Sequence, residues 1–306
     1  MNIEIGKVYS IDIRFIDFPI GIPSNTDPHL IFKGEDLLHA IATCGVYHPI
    51  GQASAEFLYK KYAIECQLEE HSGELFLSKE YKNYDQSEKN CLSYYRGMVF
   101  GRLIADLRFD LTYFVHLSKF KKYNTIHYVS DKRPDIIGWN RRYITKYYVW
   151  ECKGFRDALS EGKEQARAIS VINYWDVERQ IASAVYPTKV LGKIHAQVKD
   201  PELRGENIDI DLNEALEIYY SPFIKMLELA DSQYERNGIQ FGKMILENEE
   251  YTFGIAQKIY GYFLDDSKNN PDRKTLEQIV KECSDDPSYN SYSIVGKSFD
   301  DFIYIS

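Results

Sequence analysis

The sequence predicts an α/β fold on the basis of three observations. Apolar and polar residues alternate in VYSIDIRFIDFPI and in VLGKIHAQV, which is the period of a strand with one buried face. Apolar residues between positions 90 and 107 recur instead at helical spacing, as Leu92, Tyr95, Val99 and Leu103. The chain has 306 residues, 44% of them hydrophobic, and its 25 Tyr and 16 Phe can supply a sizeable core.

The elements follow in order along the chain. Residues 1–35 are predicted to form short strands and turns, and residues 36–70 to be helical. Gly97 and Gly101 on the helix at 90–107 would either allow close packing against a sheet or merely weaken the helix. Strand-like runs come next, as LTYFVHL, TIHYVS, PDIIGW and YITKYYVWECK, with a turn at residues 140–142 between the last two.

A helix at 157–172 and a strand at 190–198 complete the central region, and the chain after residue 201 is mostly helical by its pattern. We therefore expect three parts. Residues 1–88 form an N-terminal α/β elaboration, residues 89–200 form the core, and residues 201–306 form an acidic, mostly helical region packed on that core.

Composition excludes several classes of protein. No apolar run approaches the roughly 20 residues that a membrane helix needs, so no membrane association is expected. The start, MNIEIGKVYS, has an early Glu and lacks the apolar stretch of a secretory signal. The five cysteines are scattered without a CxxC pair, which predicts reduced thiols and no zinc site. The expected location is the cytoplasm.

Charge is distributed unevenly along the chain. The net charge is −9, but residues 117–147 hold eight basic and two acidic side chains, a local charge of +6. From residue 200 onward there are 22 acidic and 10 basic side chains, a local charge of −12. The basic stretch is suited to a polyanion, although a solvated charged face would have the same composition.

Two short motifs gain meaning from their context. E-x-K occurs three times, beginning at Glu80, Glu151 and Glu161, and P-D occurs twice, beginning at Pro134 and Pro271. The first E-x-K lies among polar residues, the third lies in a predicted helix, and the second P-D has a sufficient role in starting a helix. Only the middle E-x-K and the first P-D fall on adjacent predicted strands.

The side chains at this position combine charges that an ordinary buried strand avoids. Strand alternation puts Val149, Glu151 and Lys153 on one face, and Asp135 reaches the same surface if its strand pairs around the turn. Two neighbouring carboxylates repel each other, and a divalent cation with a preference for hard oxygen ligands, such as Mg²⁺, resolves the conflict. These residue types match metal-assisted phosphodiester hydrolysis, with an exposed ion pair at the strand end as the alternative.

A P-D pair ending at Asp135, followed by Glu151, Cys152 and Lys153 at the end of an apolar strand, resembles the signature of the PD-(D/E)XK nuclease superfamily, the restriction-endonuclease-like fold. Its core runs helix, three strands, helix, strand, in a mixed sheet flanked by helices, which is the order predicted at residues 90–198. The resemblance covers about a third of the chain. It implies that Asp135, Glu151 and the Cys152 backbone carbonyl hold Mg²⁺, for which Mn²⁺ would substitute, and that Lys153 is the catalytic lysine.

Two further positions bear on the resemblance. Many members have a Gln on the helix after the lysine strand, and here Gln165 lies at helical spacing with Ile169 and Ile172; it would contact a phosphate or a metal-bound water, or bond to backbone. Some branches have a Tyr four residues later, which this chain lacks. An acidic residue on the first core helix is also common, and Glu88, just before the helix, is the candidate for a further metal ligand.

Basic side chains near the motif are candidates for contacting nucleic-acid phosphates, namely Lys132, Arg133, Arg141 and Arg142; for the two arginines the alternative is a solvated turn. Lys193, His195 and Gln197 share one face of the closing strand, where His195 would touch substrate or simply be part of a surface face.

The function expected is that of a Mg²⁺-dependent nuclease, with DNA favoured over RNA. A role in restriction or anti-phage defence follows by family analogy alone. The alternative is a catalytically silent nucleic-acid-binding or scaffold subunit of a nuclease complex. A homodimer, or a protein partner bound through the acidic C-terminal region, is also left open.

Overall fold

A computed structural model describes residues 1–23, 25–44, 53–120, 134–201, 205–246, 249–265, 273–286, 289, 297–298, 301 and 303–305. The chain forms two compact units. The first contains Met1–Val46 and Tyr59–Asp209, and the second contains Tyr47–Leu58 and Ile210–Ser306. Most of the predicted N-terminal region and the predicted core therefore lie in one unit, and most of the predicted C-terminal region lies in the other.

The first unit is built around a nine-stranded mixed sheet with the order β3-β4-β1-β11-β10-β7-β6-β5, in which β2 pairs with β1. Its strands are β1 (Val8–Ile16), β2 (His29–Lys33), β3 (Leu68–His71), β4 (Glu74–Leu77), β5 (Tyr113–His116), β6 (Ile136–Asn140), β7 (Tyr143–Lys153), β10 (Arg179–Pro187) and β11 (Ile194–Lys199). A separate small sheet consists of β8 (Ile169–Ile172), β9 (Trp175–Asp176) and β12 (Glu206–Ile208).

Helices flank the large sheet. They are α1 (Gly34–Thr43), α3 (Gln86–Phe109) and α4 (Leu159–Ala166), whereas α2 (Ala53–Glu65) is divided between the two units at Leu58 and Tyr59. Gly97 of α3 lies against the backbone of Lys153, where a Cβ would come within 2.7 Å of the Lys153 carbonyl carbon, and Gly101 lies against the Cys152 thiol. The close packing expected for these two glycines is present, and it fixes α3 to β7 on the face opposite Glu151.

The order α3, β5, β6, β7, α4, β10 is the predicted order of helix, three strands, helix and strand, with the β8–β9 hairpin inserted before β10. The α/β class with a mixed sheet flanked by helices is confirmed. The prediction missed β10, which pairs in parallel with β7 and in antiparallel with β11, and it placed the closing strand at 190–198 instead. The strand there is β11, which starts only at Ile194 because Gly192 turns the chain with a φ of +69°.

The helix predicted at 157–172 is wrong in its second half. Residues 156–158 form a short 3₁₀ turn and α4 ends at Ala166, after which Ile169 and Ile172 lie on strand β8. The spacing of these isoleucines fits a helix, but the run Ile-Ser-Val-Ile is β-branched at three of its four positions. The following turn at Asn173 and Tyr174 sends the chain back as β9.

The second unit is less helical than expected. Its helices are α5 (Leu212–Glu228), α6 (Gln257–Leu264) and α7 (Leu276–Asp285), but it also contains a five-stranded sheet. The strands are β13 (Ser232–Arg236), β14 (Ile239–Leu246), β15 (Glu249–Ala256), β16 (Lys297–Ser298) and β17 (Ile303–Ile305). The segment TFGIAQKIYGYFL belongs to the region expected to be mostly helical, but it is strand up to Ala256 and helix from Gln257.

All five cysteines lie within the described residues and are free thiols, as predicted. Among the helices that the structure describes, none combines the length and apolar character needed to cross a membrane.

Candidate active site

The pairing of β6 with β7 brings the two predicted carboxylates together. The strands run antiparallel around the turn at 141–142, and Ile136 pairs with Trp150. Asp135, which precedes β6, therefore lies beside Glu151, and its backbone N–H donates to Glu151 Oε2 at 2.9 Å. Both carboxylates sit at the same end of the hairpin, as the sequence predicts for paired strands.

Glu151 is buried together with a lysine. Its side chain is 1% exposed, and Lys153 Nζ lies 2.8 Å from Glu151 Oε1. The same ammonium donates to Gln165 Oε1 on α4 at 2.6 Å. Helix α4 comes this close because Gly162 faces the pair: a Cβ there would lie 3.2 Å from Lys153 Cγ and 3.3 Å from Glu151 Cγ. The alternative of an exposed ion pair at the strand end is thus wrong.

Burial and charge act in opposite directions on this pair. Burial and the neighbouring Asp135 charge raise the pKa of Glu151 to about 8, and Lys153 offsets only part of the effect. Burial acts to lower the pKa of Lys153, but the Glu151 carboxylate outweighs it, so the pKa of this ammonium is raised. The site therefore holds a lysine cation beside a carboxyl group that burial and Asp135 make costly to ionise.

Sequence reasoning missed His116, which ends β5 beside Asp135. Leu117 N donates to the Asp135 carbonyl at 2.8 Å, and His116 Nε2 lies 3.9 Å from Asp135 Oδ1. His116 Nδ1 accepts from Ser118 N at 3.2 Å, so the neutral ring carries its proton on Nε2, toward Asp135. Burial lowers the pKa of His116. The signal was available, because His116 is also a polar residue at the end of an apolar strand.

Tyr94 of α3 is a second residue that the sequence did not indicate. The pKa of its hydroxyl is raised, first by burial and then by the Asp135 charge. The ring itself is 44% exposed. Helical spacing could not identify Tyr94, because tertiary packing decides which face of α3 is turned toward Asp135.

The Cys152 side chain points away from the carboxylates, toward α3, and its thiol is buried against Gly101. Its backbone carbonyl, the atom that the resemblance implies as a ligand, lies in the strand between Glu151 and Lys153. Among the residues that the structure describes, no group of three or more His, Cys, Asp and Glu side chains is arranged to hold a metal ion. The ligand set that the resemblance implies has two such side chains, Asp135 and Glu151, and its third member is a backbone carbonyl.

The donor set fits a hard divalent cation. Glu151 Oε1 is buried and makes no hydrogen bond, although it lies within ion-pair distance of Lys153 Nζ. The Asp135 side chain beside it is 28% exposed, so one side of the pair is open to solvent. Carboxylate oxygens with water in the remaining positions are the ligands that Mg²⁺ prefers. Asp135 and Glu151 would hold such an ion.

Other predicted site residues lie elsewhere. Glu88 forms a capping box at the start of α3, accepting from Asp85 N at 2.8 Å, about 13 Å along the helix axis from Gly97. Arg141 and Arg142 occupy the predicted turn, but the five residues of β6 lie between Asp135 and Arg141, a separation of about 20 Å. Lys132 and Arg133, with the run TIHYVS, lie outside the described residues.

The predicted polar face of the closing strand is present. His195 and Gln197 alternate with buried residues on β11, and Tyr186 of β10 pairs with His195. Lys193 is held by Asp12 at 2.9 Å and by Glu74 at 2.7 Å. Lys193 thus has a structural role in joining β1, β4 and the start of β11.

Comparison with protein-family models, with curated proteins and with solved structures finds no significant match. The functional interpretation therefore depends on the residues of this chain.

Proposed function

We propose that this protein is a Mg²⁺-dependent nuclease that hydrolyses phosphodiester bonds, with DNA favoured over RNA, and that its first unit contains a core similar to the PD-(D/E)XK fold. One observation carries the proposal. Glu151, a fully buried carboxylate, lies beside Asp135 and within 2.8 Å of a lysine at the open end of a strand pair. Buried carboxylates of this kind are costly to a fold and are found where they bind or react.

Asp135, Glu151 and the Cys152 carbonyl would hold Mg²⁺, and Mn²⁺ would replace it. When bound, a divalent ion polarises a phosphoryl oxygen and makes a coordinated water more acidic. The protein supplies the position of the donors: the Asp135 N–H fixes the Glu151 carboxylate through Oε2, and Oε1 faces Lys153 Nζ at 2.8 Å. Burial keeps bulk water away from Glu151, and the partly exposed Asp135 faces the substrate side.

Lys153 supplies the positive charge. Its side chain is 18% exposed, and its ammonium can donate to an attacking water or to a phosphate oxygen on which negative charge develops. Gln165 Oε1 accepts a hydrogen bond from this ammonium at 2.6 Å and Glu151 Oε1 lies 2.8 Å from it, so one of its three N–H groups remains for the water or the phosphate. On the other side, His116 Nε2 lies 3.9 Å from Asp135 Oδ1, which is beyond hydrogen-bond distance, and its polar N–H would help to position that carboxylate. Lys153 is the proposed catalytic residue, and Gln165 and His116 are positioning residues.

The test is incubation of the pure protein with plasmid, linear duplex, single strands and RNA, in Mg²⁺, in Mn²⁺ or in EDTA. We expect cleavage with either metal and none with EDTA. Glu151→Gln and Lys153→Met should each lower the rate by about 100-fold or more, because each removes a group that acts on the reacting phosphate.

The chain offers a matched control in its first E-x-K motif. Glu80 and Lys82 are exposed on a short 3₁₀ helix, so Glu80→Gln and Lys82→Met should leave cleavage unchanged. Cleavage that persists in the Glu151 and Lys153 variants would refute the assignment of the site. Failure to cleave any substrate, together with metal-independent binding of nucleic acid, would favour a silent binding or scaffold subunit instead.

A further inference from the structure

The β8–β9 hairpin displays two aromatic rings at its tip. Its two-residue turn is Asn173-Tyr174, with φ angles of 51° and 66°. Tyr174 is 92% exposed and the next residue, Trp175, is 54% exposed. The other two tryptophans of the chain, Trp139 and Trp150, are 1% and 0% exposed. Trp175 is therefore the one tryptophan whose ring reaches solvent.

Turn geometry does not explain the tyrosine. A two-residue hairpin turn with positive φ at both positions favours Asn followed by Gly, and a tyrosine at the second position is strained. Its ring is also not needed for packing, because 92% of the residue is exposed. Tyr174 therefore has an unfavourable backbone conformation, and its exposed ring lies next in sequence to the exposed Trp175.

The hairpin is held on the same sheet face as the carboxylates. Tyr147 shares that face with Glu151 by strand alternation, and Asn173 Nδ2 donates to the Tyr147 hydroxyl at 3.5 Å. Glu178 N donates to the Tyr147 carbonyl at 2.7 Å, and Asn173 N donates to Ile208 of β12 at 3.0 Å. Glu151 lies four positions after Tyr147 on the strand, or about 13 Å away.

The turn between β6 and β7 carries two basic side chains, and the β8–β9 hairpin lies toward that turn. The chain leading into β10 runs parallel to β7, so residues before Glu178 lie toward the start of β7 and its turn. That turn carries Arg141 and the exposed Arg142. Planar rings on the same side as two arginines are complementary to bases joined by phosphates, since stacking and charge are then satisfied together.

We propose that Tyr174 and Trp175 stack on unpaired bases of a single-stranded nucleic acid whose backbone runs along the Arg141–Arg142 turn toward the carboxylates. The proposal rests on the proposed nuclease function for its choice of ligand, and it assigns that site a substrate with a single-stranded segment.

Binding can be tested separately from cleavage. The full-length Glu151→Gln protein in EDTA is titrated with a fluorescently labelled thymidine oligonucleotide of about 12 nucleotides and with its duplex form. Anisotropy of the label gives affinity, and tryptophan emission reports the contact, because Trp175 alone of the three tryptophans is exposed. We expect tighter binding of the single strand than of the duplex, with quenching of tryptophan emission that follows the same curve.

Two ring deletions and one matched control complete the test. Trp175→Ala and Tyr174→Gly should each weaken single-strand binding by about 5- to 100-fold, the range for loss of one base stack. Tyr174→Gly should leave the melting temperature unchanged or raise it, since glycine suits the turn. Leu191→Ala removes an apolar side chain that is 73% exposed at the turn before β11 and should not affect binding.

Unchanged single-strand affinity in both ring variants, or duplex binding that is equal to single-strand binding, would overturn the proposal while leaving the nuclease function intact. Concentration-dependent dimerisation of the wild type that the ring variants lose would also overturn it, by assigning the rings to a second copy of the chain. Ring-dependent binding in a protein whose wild type cleaves nothing would support the stacking site and refute the proposed function.

Discussion

Replacing Gly162 by alanine should show how far cleavage depends on the close approach of α4 to the site, apart from its effect on stability. The added Cβ would lie 3.2 Å from Lys153 Cγ and 3.3 Å from both Glu151 Cγ and Lys153 Cε. Each distance is about 0.5 Å shorter than a favourable carbon–carbon contact. Because two of the three atoms belong to the buried parts of their side chains, we expect α4 and Lys153 to move apart by a similar distance.

The magnitude follows from two opposing effects. Alanine gains about 1 kcal/mol over glycine within a helix, and crowding of a packed site costs about 1–3 kcal/mol. The net change in the free energy of unfolding should therefore lie between zero and a loss of about 2 kcal/mol. A displacement of 1 Å in a catalytic group costs about 100-fold in rate, so half that displacement should lower cleavage about tenfold.

The matched control is Gly261→Ala on α6, where the new Cβ would meet no atom within 4 Å. That variant should gain about 1 kcal/mol and keep full activity. Urea unfolding and the rate of plasmid cleavage are measured for both. The reasoning is refuted if Gly162→Ala is stabilised as much as Gly261→Ala, because the crowding would then be absent.

Three other predictions concern the same unit. Burial raises the pKa of Glu151 to about 8, so the metal-free fold holds this proton more tightly than the unfolded chain does. Its contribution to stability is therefore complete at low pH and falls by about 1.4 kcal/mol per unit between about pH 5 and 8, a slope that urea unfolding should find missing in Glu151→Gln. Added Mg²⁺ must displace that proton, so calorimetric affinity should rise with pH over the same range. Arg96 is buried and donates to Gly154 O at 2.9 Å and to Val185 O at 3.0 Å. Arg96→Met should lower the free energy of unfolding by about 3 kcal/mol or more, because both carbonyls lose their donor; a variant as stable as wild type in urea would contradict this. Gln165→Leu should lower cleavage about tenfold with little change in melting temperature, whereas Gln165→Glu keeps the acceptor for Lys153 and should retain most of the rate.

Local periodicity was sufficient for the elements whose signal is local. The helix α3 and the β6–β7 hairpin follow from spacing and a turn. The strand β10 was missed for a physical reason: seven consecutive residues of its nine are buried, so it has no alternation. The segment that became β15 and α6 has apolar residues suited to either period, and its pairing with β14 decides the strand.

The same limit applies to the site. Asp135 and Glu151 could be brought together from sequence because one hairpin carries both. Gln165 was identified as polar, but its partner was not, since the lysine reaches it across the gap between β7 and α4. Tyr94 and His116 come from α3 and β5, whose placement beside Asp135 depends on the assembled sheet.

Strand β1 has a consequence for how this chain folds during synthesis. It pairs with β2, its near neighbour in sequence, and also with β11, where Asp12 pairs with His195. The N-terminal strands can therefore form a hairpin early and Ser10 can pair with Glu74 of β4, but the β11 edge of β1 from Asp12 to Ile16 stays unpaired until most of the first unit has been made. Contacts of such long range slow folding, and an open edge can pair with other chains. We expect that slowing translation between β2 and β11 lowers the yield of native protein. Although β1 is the first strand of the sheet to be made, it is among the last to complete its pairing.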